Sequence, residues 1–183
     1  MFKITPIIIN GVNLTYVSDG DTNDVFYFIG TLNNTTTFTN PQSITSPIIA
    51  TINTISSGTL LGITDRIPGG FATTDVVNSN VVIDLGNGRS LRLNKYSLRA
   101  RNIGTTHLRN WKLQSSNDGT TWVDLDTQIN NTSLAATFAW VSITVSGITT
   151  NYRYFRLLQT GLNAANSNAL SLGEMQLYGT YYY

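Results

Sequence analysis

Short runs of β-branched and aromatic residues recur along the chain, separated by Gly, Asn, Asp and Pro, the punctuation of strands and turns. The clearest runs predict strands at Val25–Ile29, Ile48–Ile52, Val81–Leu85, Tyr96–Arg101, Trp111–Ser115, Trp122–Leu125, Trp140–Val145, Arg153–Leu158 and Glu174–Tyr178. Each has about the length of an average strand, and helix-period stretches are nearly absent. In Tyr96–Arg101 the side chains alternate. Tyr96, Leu98 and Ala100 fall on one face, and Ser97, Arg99 and Arg101 on the other. That period belongs to a half-buried antiparallel strand, with Leu98 in the core and the arginines on a solvated face. In "LRNWKLQSSNDGTTW", Trp111 and Leu113 point opposite to Lys112 and Gln114, Asn117-Asp118-Gly119 reverses the chain, and Trp122 opens the return strand. The stretch reads as a hairpin whose two tryptophans feed a core. Many short strands with frequent turns predict an all-β, two-sheet sandwich of the jelly-roll kind.

Two segments stand apart from this pattern. An early apolar strand, Ile4–Val12, is separated from the rest by "SDGDTND"; residues 1–18 are read as an edge strand or an arm reaching a neighbour, and 19–183 as the domain. The stretch Gly58–Asn80 is long and turn-rich, and long irregular connections in compact domains are more often functional than idle.

Composition narrows the function classes. Only 11% of the 183 residues are charged, and the formal net charge is +1, so no long-range field collects phosphate backbones or anionic lipid; nucleic acid and membrane surfaces are not expected partners. A weakly charged, Thr- and Asn-rich surface suits packing against other subunits. There is no cysteine, which removes disulfides, thiolate catalysis and cysteine-ligated zinc. The apolar run Ile7–Ile9 is too short for a secretory signal, and no stretch approaches a membrane span.

The blocks "DVFYFIGT", "TNP", "VVIDLGNGR", "YSLRAR", "LRNWKLQSSNDGTTW", "YRYFRLLQTG" and "LSLGEMQLYG", in that order, resemble the discoidin or coagulation-factor C-type domains of the galactose-binding-like superfamily. The resemblance runs from about Asp19 to the C-terminus, with "LRNW…SNDG…W" its most specific part. It implies an eight-stranded jelly roll whose loops at one end bind sugars or lipid head groups without catalysis, and a structural calcium ion near the start and end of the domain. The chain departs from the extracellular animal versions in lacking the cysteine pair that joins their termini.

Candidate chemistry is sparse. His107 is the only histidine, without a recognisable nucleophile or orienting partner; it reads either as an exposed turn residue or as a hydrogen-bonding group at a loop-borne sugar site. Glu174 is the only glutamate, and no aspartate is paired with it by the sequence as glycoside hydrolysis requires. Asp19, Asp21 and Asp24 alternate with Gly20, Thr22 and Asn23, a supply of carboxylate and carbonyl oxygens suited to calcium or to a solvated turn. The resemblance makes Asp24 with Glu174 the pair to test. A sugar site needs an aromatic face and planar polar groups; Arg66 with Phe71, His107 with Arg109, and Asn163 with Asn166 and Asn168 supply these types on loops. The expectation is therefore a non-catalytic module for carbohydrate recognition or adhesion, with a glycan or glycoconjugate partner. The composition also suits a homo-oligomer or a virion component such as a phage tail fibre, baseplate or capsid decoration. The competing expectation is a purely structural assembly protein, in which the N-terminal arm and the tyrosines of "YGTYYY" make subunit contacts.

Overall fold

The computed structural model describes residues 10–102 and 105–183. The described strands are β1 (Gly11–Leu14), β2 (Ile49–Ile52), β3 (Ser57–Gly58), β4 (Phe71–Ala72), β5 (Asn80–Asp84), β6 (Ser90–Arg99), β7 (Trp111–Ser116), β8 (Val123–Gln128), β9 (Trp140–Thr144), β10 (Tyr154–Gln159), β11 (Ser171–Leu172) and β12 (Glu174–Tyr182). They form one sheet in the order β1-β12-β6-β9, a second in the order β2-β5-β10-β7-β8, and a small sheet β11-β4-β3. The inner faces of the two larger sheets close a single core. Tyr96, Leu98, Met175 and Leu177 come from the first sheet, and Ile83, Trp111, Leu113, Phe155 and Leu157 from the second, all buried. Trp111 Nε1 donates to the Tyr96 hydroxyl (2.9 Å), which donates to Asp126 (2.6 Å), so one polar chain joins the sheets across this core.

Of the nine strands expected from Val25 onward, all but one reappear; residues 4–9 of the early apolar strand lie outside the described residues. Val25–Gly30 is a helix, α1, and not the strand read from its apolar run. All its residues but the half-buried Tyr27 are buried, and an all-apolar run carries no period by which helix and strand differ. The deciding residue is Asp24, whose Oδ1 accepts the Phe26 and Tyr27 amides as an N-cap.

Two further corrections concern faces. Trp122 is half-buried on the outer side of the second sheet, with the Arg156 guanidinium 4.2 Å from its ring centroid, so only Trp111 feeds the core. Ser97 and Arg99 are also buried, because the 16–24 segment and Trp140 cover the outer face of β6 and β12. The alternation of β6 was correct, but the solvated face assigned to it is roofed over.

The described end of the expected arm is the edge strand β1, paired with β12 from Gly11 opposite Tyr182 to Leu14 opposite Gly179. The terminal tyrosines complete that strand within the chain: Tyr181 stacks on Tyr183 at 5.4 Å, and Phe28 meets both edge-on. Among the described residues no helix is long and apolar enough to cross a membrane.

Candidate functional site

Strand register decides which loops meet. Trp111 opposes both Gln128 and Gln159, and Arg99 opposes both Trp140 and Glu174. The connections that follow Arg99, Gln128 and Gln159 therefore leave the sandwich at the same end, and the stretch 53–79 joins them from β2 and β5.

Asn110 clasps three of these loops. Its Oδ1 accepts the Asn130 amide (2.8 Å) and its Nδ2 donates to the Leu162 carbonyl (2.8 Å). Backbone bonds from Asn131 to Arg109 O (2.9 Å) and from Ala164 to His107 O (3.0 Å) extend the clasp. Between them lies a cavity of about 230 Å³, lined by His107, Leu108, Arg109, Asn131, Thr132 and their neighbours Ala135 and Ala164. It is smaller than the ~300–1,000 Å³ of drug-sized pockets, the scale of a single small ring. Its floor is apolar, Leu108 being buried, and its rim carries the His107 imidazole and the Arg109 guanidinium; the Asn131 amide is spent locally, donating to Gln128 Oε1 (2.8 Å) and accepting the Ser133 amide (2.9 Å). Among the described residues the buried Arg109 Nε meets no acceptor. On the loop that supplies Asn131 and Thr132, Phe138 is 42% exposed and sits at φ +60°, a left-handed conformation that costs a bulky side chain energy and marks functional segments.

Of the residues picked from the sequence for ligand contact, only His107 and Arg109 come together here. Phe71 is wholly buried in the core. Asn163 is buried and holds its own loop, donating to Ala169 O (2.9 Å) and accepting the amides of Ala165 and Ser167. Neither presents a surface to a ligand. Asn131, Thr132 and Phe138 were missed; the polar "NNTS" between two strands was their available signal.

Arg66 is committed elsewhere. It too sits in the left-handed region (φ +63°), and its guanidinium donates to Asp24 Oδ2 (2.7 Å), to Gly20 O (2.7 Å) and to Asp21 O, with Glu174 Oε1 at 4.0 Å. Its centre lies 5.2 Å from the Tyr27 ring centroid. Glu174 Oε2 pairs with Arg99 (2.9 Å). Asp24 and Glu174 are thus drawn to one place, as the resemblance implied, but the cation between them is an arginine. Burial pushes the Asp24 carboxyl up to about 7 and also raises that of Glu174, against the opposing pull of their arginines. The remaining acids face other donors. Asp21 accepts Val17, Ser18 and Asn23 amides and the Tyr178 hydroxyl, which together hold its carboxyl below the ordinary range despite partial burial. Asp19 accepts Tyr16 and Ser142 hydroxyls. As arranged, these residues do not fit a calcium ion: the converging oxygens already meet positive donors, and no group of three or more acidic or histidine side chains among the described residues is disposed to hold a metal.

The opposite end carries a larger groove of about 540 Å³, lined by Ile29, Leu32, Ile44, Tyr181 and Tyr183 with Arg89 at its edge. Arg89 is engaged with Ser46 and the Pro47 carbonyl.

No protein-family model matches the chain. It is 31% identical over 182 residues to a BTB/POZ domain-containing protein of Arabidopsis thaliana and 32% identical over 177 residues to an E3 ubiquitin-protein ligase of Caenorhabditis elegans. The matches cover 91% and 92% of this chain but only 22% and 6% of those relatives. Among solved structures, a carbohydrate-binding module of Clostridium perfringens in complex with GalNAc-β-1,3-galactose superposes with a TM-score of 0.60 at 12% identity, over 72% of this chain and 95% of that one. The lectin domain of lectinolysin complexed with Lewis B antigen gives 0.57 at 17% identity, over 72% and 92%. With its two antiparallel sheets in register and these neighbours, the chain has the discoidin-type, galactose-binding-like jelly-roll fold.

Proposed function

We propose that the chain is a non-catalytic module for carbohydrate recognition, binding through the loops 105–110 and 129–139 and the start of the 160–173 connection. The observation that carries the reading is the cavity at this end, where an apolar floor is rimmed by His107 and Arg109 and held open by the Asn110 clasp. Planar donors fit the paired hydroxyls of a sugar, and Phe138 offers an exposed ring for the apolar face of a second residue. Solved neighbours with the same fold carry GalNAc-β-1,3-galactose and Lewis B, which supports the ligand class.

Catalysis finds no support at this end. Asp24 and Glu174 are both buried beneath Arg66 and Arg99, which denies a glycosidic bond access to them. The matched stretch is a small fraction of two relatives of different kinds, a BTB/POZ domain-containing protein and an E3 ubiquitin-protein ligase, as befits a recognition module carried by otherwise unlike proteins. Its weakly charged surface is the ground for placing it in a larger assembly, such as a virion, rather than free in solution.

A glycan-array screen tests the reading. Binding of a defined glycan class is expected, and Arg109→Ala should weaken it at least tenfold, about 1.4 kcal/mol, with Tm unchanged. Well-folded protein that binds no glycan at high concentration would sink it.

A further inference from the structure

We infer that the Arg66 guanidinium is a built-in substitute for a structural metal ion, so that this chain closes its N-terminal loop onto the sandwich without any divalent cation. Three features of the geometry carry this. The first is convergence: Asp24 Oδ2, Gly20 O and Asp21 O all accept from Arg66, and Gln176 Nε2 donates to Asp21 O and approaches Asp24 Oδ2 from a second side. A cation placed among these oxygens would meet N–H groups where it needs lone pairs.

The second is shape. The Tyr27 ring lies 5.2 Å from the Arg66 guanidinium carbon, a partner for a flat cation and not for the shell of six to eight oxygens that calcium draws around itself. The third is charge. Asp24 and Glu174 are 0% and 3% exposed, and Arg66 and Arg99 pair with them. Each buried carboxyl already faces a guanidinium, so a divalent ion would find neither of them free to balance its charge. The left-handed backbone of Arg66 is then strain sustained by these contacts. Because residues 19–24 pack over β12 and β6 at the start of the loop-bearing end, the same staple makes that end independent of metal.

The test uses the full chain. Trp140 packs against Gly20, and the Tyr178 hydroxyl touches Asp21, so terbium bound in this cage would be sensitised by neighbouring aromatic rings. Wild-type protein should give no saturable terbium luminescence, and its Tm should move by less than about 1 °C on adding EDTA or millimolar CaCl2, whereas a cation at 100 times its Kd would raise Tm by roughly 5–11 °C. Arg66→Ala should lower Tm by roughly 6–20 °C, and Arg66→Lys should recover at most part of that loss, having charge without the planar fork. A calcium-displaceable terbium signal in the wild type, a calcium-dependent rise in its Tm, or an Arg66→Ala protein as stable as the parent would each overturn the inference. Should Arg66→Ala fail to fold, the wild-type terbium and calcium titrations decide alone.

Discussion

Tyr96→Phe removes one oxygen atom from the core and leaves the packing shape intact, which isolates the polar chain between the sheets. In the wild type the Tyr96 hydroxyl accepts from Trp111 Nε1 at 2.9 Å and donates to Asp126 at 2.6 Å. Trp111 is fully buried, so no water replaces the lost acceptor, and an unsatisfied buried donor costs about 1–3 kcal/mol. Asp126 is only partly buried and recovers its partner from solvent, adding about 1 kcal/mol at most. The total is roughly 1–4 kcal/mol, or a Tm lower by roughly 2–16 °C for a domain of this size. Burial, reinforced by Asp126, pushes the Tyr96 phenol far above its ordinary value, so the hydroxyl is protonated throughout the accessible pH range and the cost is independent of pH. Urea unfolding followed by tryptophan fluorescence measures it, with an unchanged m-value expected because the exposed area is the same. A midpoint equal to that of the parent would refute the claim that this hydroxyl bridges the sheets.

Other perturbations discriminate further parts of the account. Trp111→Ala should cost about 3–5 kcal/mol as a core truncation, while Trp122→Ala, which loses a stack with Arg156 on the outer face, should cost about 1 kcal/mol; equal losses in chemical denaturation would contradict the two placements. Gly70→Ala introduces a Cβ that overlaps the Leu172 carbonyl at φ +119°, and a loss of about 2 kcal/mol or more is expected from thermal melts. The raised carboxyls of Asp24 and Glu174 set a sign for pH. Both hold protons more tightly folded than unfolded, so their contribution is fully present below about 4; that of Asp24 is lost as pH rises through about 7, and Glu174 acts with the same sign. Tm measured by scanning fluorimetry should therefore be higher at pH 5 than at pH 8, and a rise towards pH 8 would contradict the sign.

The sandwich was legible because alternation survives throughout β10 and in the first residues of β6 and β7 as a readable period. The failures occur where that condition lapses. In the run Val25–Gly30 all but the half-buried Tyr27 are buried, so only the Asp24 cap distinguished it. Arg99 belongs to an alternating strand, yet the 16–24 segment covers the face it was assigned to; long-range cover leaves no local trace. At the candidate site, His107 and Arg109 were found by residue type, whereas Phe71 and Asn163 have the right chemistry but point into the core or their own loop. Type alone carries no direction. Arg66 and the acidic loop are 42 residues apart at Asp24, a pairing that only the folded chain makes visible.

His107 is the only histidine and lines the proposed site, so its imidazole protons give one isolated NMR signal from the cavity itself. Titrating the protein with a glycan that it binds should shift that signal saturably, together with backbone amides in 105–110 and 129–139, and Arg109→Ala should abolish the shifts. A glycan that binds while leaving the His107 signal in place, or that perturbs Tyr181 and Tyr183 at the opposite groove instead, would contradict the assignment of recognition to this end.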